Sequence, residues 1–334
     1  MRTNLAIQKE TARAARHAAG DGEDERVYVS LAHLVRLRHK ATGYSFLPRQ
    51  PIHSLLSGRY ASRLRGRGLN FEELRPYHQG DDIRTMDWKV TARTRRPHVR
   101  VYTEERDRVV LLLVDQRLHM FFGSQERMKS VAAAEAAALG AWRALGVGDR
   151  VGAIVCNDQS IEEIRPQRSQ VTVMQILRTI ERMNRELRAD TSIEPNPGQL
   201  NAALEKARRL ARHDTLVVLI TDGQGVDDDT TRLTAQLARH NDVLGLLLYD
   251  PLRESPRSGQ GPFVITDGRL QLQLDLHDRN FRKRIAADYK AELEDIRANL
   301  IKISAPLLPI STAVDVVEQI RQLIGSATRR AVRG

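Results

Sequence analysis

The sequence predicts an α/β protein with a mostly parallel sheet covered by helices on both faces, preceded by a charged α+β segment packed on it. Three observations carry this expectation. The runs Val109–Val114, Leu216–Ile220 and Val243–Tyr249 are continuously apolar rather than alternating, as strands buried on both faces are. Segments of helical period separate them, which places the strands parallel. The block Gly66–Asp107 before the first run is instead dense in Arg, Asp, Glu and aromatics.

The elements follow in chain order. Residues 1–25 are polar and charge-rich and are expected to form a flexible arm. Apolar residues at Val27, Leu31, Leu34, Val35 and Leu37 predict an amphipathic helix over 27–42, capped by Ser30. Asp81 and Asp82 precede an Ile83, Met86, Val90 stripe, which predicts a short helix over about 82–93 with carboxylates at its positive end. Arg95-Arg96-Pro97 breaks it, and His98–Thr103 alternates as a half-buried strand does. Strands are then expected at Val109–Val114, Asp149–Cys156, Thr215–Thr221 and Val243–Tyr249. Helices are expected at Ser124–Leu145, Gln170–Arg188, Leu200–Arg212 and Thr230–His240. Phe263–Ile265 and Leu270–Leu276 predict a hairpin turning at Asp267-Gly268. A helix over Asp278–Asn299, a last strand over Leu300–Ser304, a last helix over Ala313–Ile324 and a disordered basic tail complete the chain. The expected domains are an arm at 1–25, a charged segment at 26–106, an α/β domain at 107–325 and a tail at 326–334.

Composition sets limits on function. The chain has 334 residues, 41% of them hydrophobic and 4% aromatic, so a core is feasible but must be aliphatic. The lone Cys156 excludes an internal disulfide framework and fits a reducing compartment. No window approaches the ~20 apolar residues of a membrane helix, and none reads as a secretion signal, so a cytoplasmic location is expected. The net charge of +11 attracts acidic partners. Acids and bases are interleaved, however, and the uncompensated clusters Arg63–Arg67, Arg93–Arg100, Arg282–Arg284 and Arg329–Arg333 are short. A solvated basic surface is therefore preferred to dedicated nucleic-acid binding. There is no GxxxxGK[ST] loop, so the chain is not itself a P-loop ATPase.

Val109–Asp115, Ser124–Leu145, GDRVGAIVCN, PGQLNAALEKA and LVVLITDG together resemble the von Willebrand factor type A fold, a Rossmann-like α/β architecture. The preceding GRGLNFEELRPYHQGDDIRTMDWKVTART resembles the hallmark of the bacterial family catalogued as domain of unknown function 58. The resemblance spans roughly residues 55–250. It implies a binding or adaptor subunit acting beside an AAA+ ATPase of the MoxR type. Many members carry N-terminal membrane helices, and none is expected in this sequence.

The resemblance also implies a place for a metal-dependent adhesion site holding Mg²⁺ or Mn²⁺. Its pattern is Asp-x-Ser-x-Ser after the first strand, a Thr before a later helix and an Asp after the fourth strand, hard oxygens for a hard ion. Here Asp115 and Asp222 match the acids. Arg117 and His119 stand where the serines would, and Gly198 falls near the Thr position. A guanidinium about 4 Å from a divalent ion is repelled by about 8 kcal/mol at an effective dielectric of about 20. The expectation is therefore a degenerate site with no cofactor, in which Arg117 pairs with Asp115 or Asp222 and replaces the cation. His119 reads as a loop cap, Cys156 as a small apolar filler, and Asp227-Asp228-Asp229 as helix-capping acids.

Within the charged block, Arg75, Asp81, Asp82, Arg84, Asp87 and a buried Trp88 are expected to form a structural lattice. Arg93, Arg95 and Arg96, with Arg117 and His119, are the expected partner contacts. The functional expectation is a non-catalytic protein-binding adaptor for a MoxR-type ATPase, in a chaperone-like or complex-maturation role. A nucleic-acid-binding module and a metal-dependent module or enzyme are the alternatives. No nucleophile stands at a spacing that would serve the latter.

Overall fold

The computed structural model describes residues 25–41, 69–78, 81–104, 108–188, 192–254, 263–266, 271–274, 278–302 and 305–331. The chain divides into two units, residues 58–107 and the remainder, and each is described by itself.

The larger unit is organised by a six-stranded sheet. Its strands are β3 (Val109–Asp115), β4 (Arg150–Cys156), β5 (Ile161–Gln167), β6 (Thr215–Thr221), β7 (Asp242–Tyr249) and β10 (Leu307–Ser311). They lie in the order β10-β7-β6-β3-β4-β5. All neighbouring pairs are parallel except β4 with β5. Counted from β3 as the first strand, this is the doubly wound order 3-2-1-4-5-6, with one antiparallel edge. The fold is the doubly wound, mostly parallel α/β class that the sequence predicts.

Successive residues of β3 face opposite layers, which explains its unbroken apolar run. Val110, Leu112 and Val114 pack with α3 (Lys129–Gly146) and α4 (Gln170–Arg185). Leu111 and Leu113 pack with α5 (Gly198–Leu210) and α6 (Asp228–Ala238). The Ala run of α3 is buried along most of its length, so the helix can lie close to the sheet without large side chains. Asp227 caps α6, its carboxylate accepting from Thr230 N at 2.7 Å while Thr230 Oγ1 accepts from Asp227 N at 3.1 Å, a reciprocal cap. That confirms the capping role expected of this acidic run.

Several expectations need correction. The segment after the arm is α1 (Leu31–Arg36) followed by a 3₁₀ turn to Lys40, capped by Ser30 as expected. It belongs to the α/β unit rather than to the charged segment. Val29, Leu34 and Leu37 are buried in the core, Val29 N donates to Asn184 Oδ1 at 2.9 Å, and Trp142 Nε1 donates to Leu34 O at 3.0 Å. After α7 (Pro251–Glu254), α8 (Arg279–Lys302) takes in Leu300–Lys302 and β10 begins at Leu307, so the last strand does not begin at Leu300; residues 303–304 lie outside the described residues. β5 was not expected at all. The tail is helical as far as Ala331, the end of α9 (Val316–Ala331). The arm at 1–24 and the turn at Asp267-Gly268 lie outside the described residues; β8 (Phe263–Thr266) and β9 (Gln271–Leu274) do pair antiparallel.

In the small unit β1 (Leu69–Pro76) pairs antiparallel with β2 (His98–Glu104). Between them the expected single helix is two pieces, a 3₁₀ turn at Ile83–Thr85 and α2 (Trp88–Thr94). Asp82 caps the first through Arg84 N, and Asp87 caps the second through the backbone N–H groups of Lys89 and Val90, each at 3.0 Å. A fresh cap at Asp87 restarts the helix, so the Ile83, Met86, Val90 stripe never forms one continuous face.

Candidate functional site

In a doubly wound sheet the chain leaves toward opposite faces on either side of the strand-order reversal, and a crevice opens at the carboxyl ends there. The reversal lies between β3 and β6. Asp115 ends β3 and Asp222 follows β6, so the topology brings the two acids together across it.

Asp115 is fully buried, and Arg117 is 1% exposed. Arg117 Nε donates to Asp115 Oδ1 at 3.0 Å and Nη2 to Oδ2 at 2.7 Å. Arg117 N also donates to Oδ1 at 3.0 Å, and Thr221 Oγ1 donates to Oδ2 at 2.7 Å. A carboxylate has about four lone-pair positions, and all of those on Asp115 are used. The guanidinium is held from its far side as well. Nη2 donates to Gln224 O at 3.0 Å and Nη1 to Pro197 O at 3.4 Å. The loop reaches over it because Gly223 and Gly225 have φ of +78° and +81°, a region that favours glycine.

Asp222 has its own cation. Lys129 Nζ pairs with Oδ2, and Gln224 N donates to Oδ1 at 3.0 Å. His119 Nδ1 lies 3.0 Å from Oδ1 and 3.1 Å from Oδ2. Because a carboxylate only accepts, Nδ1 carries the ring proton in this contact. His119 Nε2 lies 3.8 Å from Asp115 Oδ2, enclosed and without a hydrogen-bond partner.

The electrostatics follow from this packing. Burial alone would raise the Asp115 carboxyl, but the charges of His119 and Arg117 outweigh it and hold the group below its ordinary value. Burial opposes ionisation of Asp222 too, and Lys129 and His119 drive that carboxyl far below the usual range. Burial would lower the Arg117 guanidinium, yet Asp115 raises it. Two carboxylates are therefore matched by two permanent cations within one buried cluster, with His119 set between the acids. Burial pushes the Cys156 thiol well up, in keeping with the filler role expected of it.

Aspartates at the other strand ends hold the loop that carries these groups. Leu118 N donates to Asp158 Oδ2 at 2.6 Å, past the end of β4. Ser124 N and Oγ donate to Asp250 at 2.8 and 2.5 Å, and Thr312 Oγ1 donates to the same carboxylate at 2.6 Å. The β3–α3 loop is thus anchored at the ends of β3, β4, β6 and β7.

One ligand atom each from Asp115, His119 and Asp222 lies within 4.8 Å of the others, a spacing a metal could bridge. The donor set nevertheless does not fit a divalent ion. The lone pairs of Asp115 are taken, and Arg117 and Lys129 already occupy the positions of compensating charge.

Asp115, Arg117, His119 and Asp222 converge as the sequence predicts, with Arg117 choosing Asp115. Gly198 does not join them. It opens α5 on the surface, and only the neighbouring Pro197 carbonyl reaches Arg117. Lys129, Thr221 and Gln224 were missed. Lys129 left one signal: a cation in the first turn of a buried helix opposes the helix dipole and calls for a dedicated acid. Arg117 cannot be a partner contact, since it is buried, and the His119 side chain is only 16% exposed.

In the small unit Arg75 forms a two-pronged pair with Asp81 at 2.8 and 2.9 Å, and Arg100 pairs with Asp87. The hydrogen bond from Arg75 lowers the Asp81 carboxyl, and the Val90 N–H followed by Arg100 lowers that of Asp87. Arg84 takes no part in this lattice, and Asp82 serves only as a cap. Trp88 is not a buried clamp, being 66% exposed. Arg93, Arg95 and Arg96 are exposed.

The chain is similar to known proteins in sequence, and more distantly in structure. The family model described as "Protein of unknown function DUF58" matches residues 73–295. The uncharacterized proteins Rv1480 of Mycobacterium tuberculosis and Mb1516 of Mycobacterium bovis are each 30% identical over 290 residues, covering 86% of this chain and 88% of theirs. Among solved structures, the conserved hypothetical protein BatB of Bacteroides thetaiotaomicron aligns over 68% of this chain and 100% of its own, with 13% identity and a TM-score of 0.40. The SpRpn10 VWA domain aligns over 64% and 94%, with 10% identity and a TM-score of 0.32. The match along two units of the fold, with the relatives spanned nearly end to end, places the chain in the DUF58 family.

Proposed function

We propose that this protein is a non-catalytic protein-binding adaptor that works in the cytoplasm with an AAA+ ATPase of the MoxR type, in a chaperone-like or complex-maturation role, without a cofactor. The observation that supports this reading is the closed state of the strand-end site. Its two acids are saturated by Arg117, Lys129 and neighbouring donors, so it offers neither an open coordination position nor an unengaged carboxylate for acid–base work. What remains for a partner is surface, and the chain carries a net charge of +11 with which to attract an acidic one. Among the described residues no helix is long and apolar enough to cross a membrane.

The test is affinity capture of the tagged full chain from its native cytoplasm, with and without ATP. Recovery of a MoxR-type ATPase in stoichiometric amount is expected. Recovery of ribosomes or DNA alone, with salt-steep binding to short nucleic acids, would favour the nucleic-acid module instead.

A further inference from the structure

Trp88 is 66% exposed and Ile83 60% exposed, the two most exposed large hydrophobic side chains described in the small unit. Unpaired cations are near neighbours of both in sequence, Arg84 beside Ile83 and Lys89 beside Trp88. Arg75 and Arg100 are neutralised by Asp81 and Asp87, whereas the side chains of Arg84, Lys89, Arg93, Arg95 and Arg96 are exposed and have no ion-pair or hydrogen-bond partner among the described residues. We propose that the face built around Trp88 and Ile83 docks an acidic peptide segment of a partner protein that carries an apolar anchor residue. This rests on the adaptor reading and goes beyond it by naming the surface and the chemistry of what it takes.

Helical geometry puts Trp88 together with the basic groups that follow it. At 3.6 residues per turn, Trp88, Lys89, Ala92 and Arg93 share one side of α2, and all four are exposed. Val90 and Thr91 lie on the other side and are half-buried; Thr91 Oγ1 accepts from His98 N at 3.1 Å, which ties that side to β2. Arg95, at φ +57°, ends the helix and sends Arg95 and Arg96 out beside it.

The face is also held rigid. Asp87 caps α2, pairs with Arg100, and its backbone N–H donates to His98 O at 2.9 Å. Met86 bridges to Val99. Trp88 follows Asp87 directly, so its backbone is fixed before any partner arrives, which reduces the ordering cost of binding. Trp and Arg are the side chains most enriched at interface hot spots. The aliphatic Ile83 favours an apolar peptide anchor over a stacked base, because single-strand nucleic acid needs successive aromatic platforms.

Fluorescence tests this directly. The chain has two tryptophans; Trp142 is buried, with its Nε1 bonded to Leu34 O, so changes in emission report Trp88. The full chain is titrated with a synthetic peptide of four Glu-Glu-Leu repeats, and with Lys-Lys-Leu repeats, Glu-Glu-Ser repeats and a short oligo-thymidine. Saturable blue-shifted emission with the first peptide only is expected. Read instead by the anisotropy of a dye-labelled peptide, which needs no Trp88, affinity should fall about tenfold or more in Trp88→Ala, and in the pair Lys89→Glu with Arg93→Glu. The reversed-charge pair should instead bind the Lys-Lys-Leu peptide. Each variant alters exposed side chains, and an unchanged thermal midpoint verifies folding. Equal binding by Trp88→Ala overturns the proposal, as does a stronger response to oligo-thymidine. Emission of Trp88 already blue-shifted and shielded from iodide in the isolated chain would mean that the chain covers this face itself, and would also overturn it. Loss of ATPase capture with peptide binding intact would sink the MoxR reading alone; capture unaffected by Trp88→Ala, with no peptide binding, would sink this one alone.

Discussion

Arg117 grips Asp115 through two parallel hydrogen bonds, Nε to Oδ1 at 3.0 Å and Nη2 to Oδ2 at 2.7 Å, with neither side chain reaching solvent. The residues are two apart in sequence, and their pairing offsets the acid at the end of β3. Breaking one half of a buried pair strands a charge, which costs about 3–5 kcal/mol. Arg117→Met should therefore destabilise the protein by about that amount in urea denaturation. Adding Asp115→Asn should recover part of the loss, because the stranded charge is removed. A loss confined to a few tenths of a kcal/mol would mean that the pair is not buried in solution.

Lys129 should behave in the same way toward Asp222. Lys129→Met is expected to cost a similar amount, although methionine suits both the apolar surroundings and the helix. If Lys129→Met is neutral or stabilising, the second cation is not what compensates Asp222.

Acid should weaken the fold through the same two carboxylates. Both are held below their ordinary value in the folded state, so their contribution is complete above the unfolded value of about 3.9. It is lost as the pH falls below that value toward their folded ones, because the unfolded chain then binds more protons. The thermal midpoint should drop steeply below about pH 4, and Asp222→Asn should make that slope shallower. An acid slope identical in the variant would contradict the assignment.

Gly225→Ala tests the loop that closes over the guanidinium. A Cβ at Gly225 would meet only ordinary contacts, 3.4 Å from Pro197 Cβ and 3.6 Å from Arg117 Nη1. The cost should therefore come from the left-handed φ, about 1–2 kcal/mol, readable as a shifted denaturation midpoint.

Leu34→Ala tests whether residues before the charged block belong to the α/β core. Leu34 is fully buried there, so a loss of about 2–5 kcal/mol in one cooperative transition is expected. A change below about 0.5 kcal/mol, the level of an uninvolved surface site, would detach that segment from the core.

The sheet was legible wherever burial on both faces left continuous apolar runs, as in β3, β6 and β7. β5 escaped notice because Ile161–Gln167 lies on the edge. Its charged alternation and Pro166 read as loop, although an edge strand tolerates both. The last strand was displaced because the apolar residues of Leu300–Ser304 resemble a strand, while the real one contains Pro309, which an edge also allows. Asp115 and Arg117 could be matched because they are near neighbours. Lys129 could not be matched to Asp222 across 93 residues, since only the strand-order reversal brings them together. Trp88 was expected to be buried beside the Arg–Asp lattice, yet it stands off the Ile83, Met86, Val90 stripe, and on the helix that Asp87 caps it is 66% exposed.

Calorimetric titration of the full chain with Mn²⁺ and with Mg²⁺ tests the central claim most directly. If Arg117 and Lys129 neutralise the strand-end crevice from within, neither ion gives a saturable heat, and Asp222→Asn leaves the trace unchanged. A stoichiometric binding isotherm that disappears in Asp222→Asn would contradict it.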